Sequence, residues 1–121
     1  MVIQIVIVED EIIIALDLKQ RLKNLGYEVI GIAASGADAI KLVKSNEVDL
    51  IFMDIFLKGK LNGIETARLI EEEFNIPIIY NSANSDILKI EAVKKTKSYE
   101  YLVKPFDDIK LQQAIKSILK L

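Results

Sequence analysis

The chain has 121 residues, 51% of them apolar and 28% charged, with a net charge of −2. That length suits one domain, residues 1–121, with its own core, and the composition excludes a disordered tail and a strongly basic nucleic-acid binder. Cysteine and histidine are both absent, which removes disulfides, thiolate and imidazole metal sites, and Ser-His-Asp or Cys-His catalysis in one step.

The first element, Val2 to Val8, is short and rich in β-branched residues, the pattern of a buried strand. It meets Glu9-Asp10-Glu11 too soon for a secretory signal or a membrane span, so a cytoplasmic setting without membrane contact is the expectation. Glu11 to Leu25 carries Ile14, Leu18, Leu22 and Leu25 at helical spacing, and Gly26 stands where a C-terminal cap belongs. A second strand follows over Glu28 to Ala33, then a helix over Gly36 to Asn46 with Ala39, Ile40 and Val43 on its apolar side. Asp49 to Met53 reads as a third strand that delivers Asp54 at its end. Ile55 to Asn62 reads as a loop and Gly63 to Phe74 as a helix. Pro77 opens a fourth strand that runs to about Asn81, Ser82 to Ser85 is polar, and Asp86 to Thr96 is helical. Tyr99 to Val103 is the fifth strand, Lys104-Pro105 breaks the chain, and Asp107 to Leu121 closes it as a helix.

Strands alternating with helices imply a parallel sheet covered on both faces. In such sheets ligands bind outside the carboxyl ends of the strands, near a topological switch point. The strand ends therefore nominate the site: Glu9 and Asp10 after the first, Asp54 after the third, Ser82 near the end of the fourth, Lys104 after the fifth. If the first and third strands are neighbours, three carboxylates converge, and they need a proton, a lysine or a hard cation between them. Magnesium suits a few carboxylates with retained waters and a phosphate. Taken alone, Glu9-Asp10 reads first as a helix N-cap with acidic first-turn residues, and the acid at Asp54 tips the reading toward a site. Lys104 alone reads as a surface lysine before a turn proline, and Ser82 as a turn residue. A cis bond is plausible at Lys104-Pro105, and a lysine at that strand end can bind phosphoryl oxygens as a compact charge.

Four segments in order, Ile7-Val8-Glu9-Asp10-Glu11, Phe52-Met53-Asp54-Ile55, Asn81-Ser82-Ala83 and Tyr101-Leu102-Val103-Lys104-Pro105-Phe106, make the chain resemble the receiver domain of two-component response regulators over essentially its whole length. The resemblance implies a flavodoxin-like, doubly wound α/β fold: a five-stranded parallel sheet in order 2-1-3-4-5 with five helices. It implies that Asp54 is the phosphoacceptor. Glu9, Asp10, Asp54 and the backbone carbonyl of Phe56 would hold Mg2+. Ser82 and Lys104 would contact the phosphoryl group, and Ser82 and Tyr101 would act as switch residues. The implied partners are a histidine kinase or histidine phosphotransfer protein and an output partner. A phosphorylation-dependent dimer through the last two helices and the fifth strand is also implied. Direct nucleic-acid binding is not expected, and the chain would be a switch rather than an enzyme in the turnover sense.

Three positions depart from the family pattern. The loop Ile55-Phe56-Leu57-Lys58-Gly59-Lys60-Leu61-Asn62-Gly63 is slightly longer and lacks the proline usual soon after the acceptor strand. Asn62 stands where an aspartate is common, and Thr96-Lys97-Ser98-Tyr99 replaces a Gly-Ala turn. Two rivals share the acidic edge or the fold. An aspartyl phosphatase of the haloacid-dehalogenase type needs a second acid two residues after the first, where Phe56 stands. A flavodoxin-like electron carrier needs a Ser/Thr-rich loop after the first strand, where the acids stand. A degenerate receiver used only for interaction would not need the full set of acids, hydroxyl and lysine.

Overall fold

The structure, a computed structural model, describes residues 2–83 and 99–121. The strands are β1 (Gln4–Val8), β2 (Glu28–Ala33), β3 (Leu50–Asp54), β4 (Ile78–Ser82) and β5 (Tyr99–Val103). The helices among the described residues are α1 (Ile12–Asn24), α2 (Gly36–Ser45), α3 (Gly63–Glu73) and α4 (Asp108–Leu119). The helix expected over Asp86 to Thr96 lies outside the described residues. All strand pairs are parallel and the order is β2-β1-β3-β4-β5, as the resemblance implies.

Side chains alternate across each strand and build two apolar layers. Val6, Val8, Ile51, Met53, Ile78 and Tyr80 pack under α2 and α3 with Ala39, Val43, Ala67 and Ile70. Ile5, Ile7, Leu50, Phe52 and Ile79 face the other way, under Ala15, Leu18 and Leu22 of α1 and Leu111 and Ile115 of α4. The central strands are buried on both faces, which explains why they read as unbroken apolar runs. Each large apolar side chain fully buried here contributes about 1.5–3 kcal/mol.

The helix ends follow local chemistry. Gly26 adopts φ +95, its N–H bonds Lys23 O at 3.0 Å, and Tyr27 N–H bonds Leu22 O at 3.0 Å, so α1 closes in a Schellman motif around the expected glycine. Asn62 and Glu65 form a reciprocal capping box on α3, with N···O distances of 2.8 and 2.9 Å. An asparagine serves there because an N-cap needs only an accepting side-chain oxygen.

Strand limits shift slightly from expectation. β1 starts at Gln4, where pairing with Glu28 begins, and β3 and β4 each include their final polar residue, Asp54 and Ser82. Those two residues are therefore held by the sheet ladder and not by a loop.

Candidate functional site

Parallel strands place their carboxyl ends at one edge, and the sheet order sets β1 beside β3 and β3 beside β4. Glu9, Asp10, Asp54, Ser82 and Lys104 consequently line one crevice of about 780 Å³, together with Phe56 and Lys58. Carboxylate oxygens of Glu9, Asp10 and Asp54 lie within 4.8 Å of one another. The sequence-based expectation that the first and third strands bring three acids together is met in the geometry.

Backbone and lysine contacts hold this cluster. Lys104 Nζ donates to Glu9 Oε1 at 2.7 Å, and Glu11 N–H donates to Glu9 Oε2 at 3.2 Å. Glu9 is thus a buried acid satisfied from two sides, while the N-cap position of α1 falls to Glu11. Phe56 N–H donates to Asp54 Oδ1 at 3.1 Å, and Lys58 N–H donates to Asp10 Oδ2 at 3.2 Å. Lys104 N–H also donates to Ser82 O at 2.7 Å, which ties the ends of β4 and β5 together. The Lys104-Pro105 peptide is cis. Tyr101 is half-buried, in register with Tyr80, and packs against the layer under α2 and α3.

Gly63 explains how tightly the end of β3 is seated. A Cβ at this position would lie 2.0 Å from Asp54 O, so only glycine lets the first turn of α3 meet the β3 backbone. Gly63 N–H also bonds Ile55 O at 3.0 Å.

Asp54 is only 8% exposed. Burial first, then the Glu9 carboxylate, raises its pKa from 3.8 to about 6, with Phe56 N–H and Lys104 pulling the other way. A carboxyl raised in the folded state favours folding most below its unfolded pKa, and that contribution is lost as pH rises through about 6. The full shift corresponds to roughly 3 kcal/mol at most. Without divalent metal, Asp54→Asn should therefore unfold at a higher temperature than the native chain at pH 8 and show little difference at pH 4. Thermal unfolding by circular dichroism in EDTA tests this; the same increment at both pH values would show that Asp54 ionisation carries no such penalty.

The donor set is oxygen-only, anionic and open to the crevice, which fits a hard cation such as magnesium. Sequence reasoning did not single out Lys58 or Gly63. The departure from the usual proline-bearing loop was the available signal for Lys58, since a proline has no N–H to give Asp10.

Residues 5–116 match the response regulator receiver domain family. The transcriptional regulatory protein PdtaR of Mycobacterium tuberculosis is 34% identical over 113 residues, covering 93% of this chain and 55% of that protein. The transcriptional regulatory protein YvrH of Bacillus subtilis is 38% identical over 117 residues, covering 96% of this chain and 48% of that protein. The chain thus spans about half the length of these curated relatives. Among solved structures, it is similar to the signal receiver domain of a modulated diguanylate cyclase from Desulfovibrio desulfuricans, with a TM-score of 0.89 at 30% identity over 99% of this chain and 95% of that one. The receiver domain of a sensor histidine kinase from Pseudomonas aeruginosa, solved with magnesium coordinated in its active-site cleft, gives a TM-score of 0.87 at 28% identity over 100% of both chains. A family match that reaches from β1 to within α4, in a sheet of the same order, has one consequence: this chain belongs to the response regulator receiver domain family.

Proposed function

We propose that Asp54 accepts a phosphoryl group from a phosphohistidine on a partner histidine kinase or histidine phosphotransfer protein. The observation that carries this is the Asp54 carboxylate, held at a strand end within 4.8 Å of two other acids and beside Lys104. An Asp54 oxygen attacks phosphorus, the donor P–N bond breaks with its electron pair returning to the imidazole nitrogen, and an acyl phosphate forms. These 121 residues contain no histidine, so the donor lies outside them.

Glu9, Asp10, Asp54 and the Phe56 carbonyl would hold magnesium. Bound there, the cation would supply neutralising charge for the phosphoryl oxygens. Lys104 leaves Glu9 or shares it to pair with the phosphoryl group, and the Ser82 hydroxyl donates to a phosphoryl oxygen. Tyr101, half-buried in β5, changes packing as Ser82 moves, which shifts the population toward a form read by an output partner or by a second copy through the face around β5 and α4. The chain acts on itself once per signal, as a cytoplasmic switch and not as a turnover enzyme. Intact-mass spectrometry after incubation with magnesium and acetyl phosphate tests the proposal. One added phosphoryl group is expected; an unchanged mass at saturating donor would count against it.

Phe56 bears on how long the phosphoryl group stays. Hydrolysis needs in-line water at Asp54 phosphate. Phe56 lines the crevice at its rim, is 53% exposed, and carries no group that could take a proton from that water. Phe56→Asn should speed phosphate release several-fold, on the order of 1 kcal/mol of barrier. Equal or slower release at fixed magnesium would show that the ring is no shield.

A further inference from the structure

The loop between β3 and α3 turns two N–H groups, those of Phe56 and Lys58, onto two different acids, Asp54 and Asp10. Leu57 between them is buried in the layer under α2 and α3, so the loop is anchored from behind. Gly59 follows at φ +109 and lets the chain turn away directly after Lys58. The Lys58 side chain is exposed, and its ammonium forms no ion pair among the described residues. The Asp10 carboxylate is half-buried, and the Lys58 N–H is its one hydrogen-bond partner among those residues.

We infer that the backbone N–H of Lys58, and not its ammonium, positions Asp10 for a divalent cation and sets part of the magnesium affinity. The inference rests on the metal reading given above. A half-exposed carboxylate with no partner would spread over several rotamers. A hydrogen bond to Oδ2 fixes its plane and leaves Oδ1 and the remaining lone pairs for the cation. Partners of this kind behind a ligand are commonly worth 10–100-fold in metal affinity. At 3.2 Å the bond is at the long end of the normal range, which favours the lower figure. Lys58 is accordingly a positioning residue: it acts through Asp10.

Two substitutions separate backbone from side chain. Lys58→Ala keeps the N–H and loses the ammonium; Lys58→Pro loses both. Titration calorimetry with magnesium chloride should give roughly 10-fold weaker binding for Lys58→Pro and a change within about twofold for Lys58→Ala. Native-like affinity in Lys58→Pro, or equal losses in both variants, would overturn the inference. Because proline can disturb the whole loop, amide exchange in the metal-free protein supplies an independent reading. The Lys58 amide should exchange several-fold faster in Asp10→Ala than in the native chain, while the Phe56 amide, bonded to Asp54, holds its rate. Unchanged exchange at Lys58 would also overturn it. Failure of the native chain to bind magnesium would instead strike the metal reading, and the exchange experiment would still decide whether Lys58 holds Asp10.

Discussion

Asp54→Asn protein should take up no phosphoryl group under conditions in which the native chain gains one. The substitution keeps the shape and the oxygen that accepts the Phe56 N–H, bonded at 3.1 Å in the native chain, so the loop after β3 stays in place. What it removes is the nucleophilic charge. A neutral amide oxygen at the same position cannot form a stable acyl phosphate. The expected loss is total, and the unfolding temperature of the same variant, measured alongside, separates it from loss of the fold. Incubation with acetyl phosphate and magnesium, followed by intact-mass measurement with and without hydroxylamine, gives the answer. A hydroxylamine-labile phosphoryl group on Asp54→Asn would move the acceptor to another residue.

Removing magnesium should slow phosphorylation by at least ~100-fold, because a bound cation commonly supplies several kcal/mol of charge stabilisation in such transfers. The charge balance gives the reason. Three carboxylates with oxygens within 4.8 Å are met directly by the Lys104 ammonium, which already sits 2.7 Å from Glu9. An anionic donor that approaches this crevice meets net negative charge unless a cation enters first. Asp10→Asn should reproduce much of the defect, since its side-chain oxygen can still accept from Lys58 N–H while one of the anionic ligands is gone. Phosphoryl uptake measured in excess EDTA and in the Asp10→Asn variant checks both. Uptake at the native rate in EDTA would mean that the site is neutralised without a metal.

The strands and the strand-end acids were legible because they rest on patterns a sequence carries openly, whereas the sheet order came only with the receiver-domain resemblance. The runs Ile5–Val8, Leu50–Met53 and Ile78–Tyr80 are apolar on both faces, as a central parallel strand requires, and each stops at a polar residue. Gly26 was legible as a cap for the same reason: a left-handed residue after a helical stripe has few other uses. The hold on Asp10 was not legible. It is a contact between a backbone group at 58 and a side chain 48 positions earlier, and a backbone N–H has no letter of its own in a sequence. Nor was the pairing of Lys104 with Glu9, since a lysine at a strand end is compatible with phosphate, carboxylate or solvent until the neighbouring strand is placed.

The glycine at 63 gives the acceptor an anvil. On the α3 side, the Asp54 carbonyl is pressed so close that even a methyl group would sit 2.0 Å away, and Gly63 N–H clamps the next carbonyl at 3.0 Å. Beside β3 in the sheet lies the end of β4, joined to the end of β5 by the short Lys104-to-Ser82 bond. Close-packed interiors deform in steps and not smoothly, so a load applied at Asp54 is not absorbed where the backing is rigid. Under the proposed phosphorylation of Asp54, the recoil would be steered sideways, toward Ser82, Lys104 and Tyr101. On that proposal, the side that cannot yield would decide the direction in which the signal leaves.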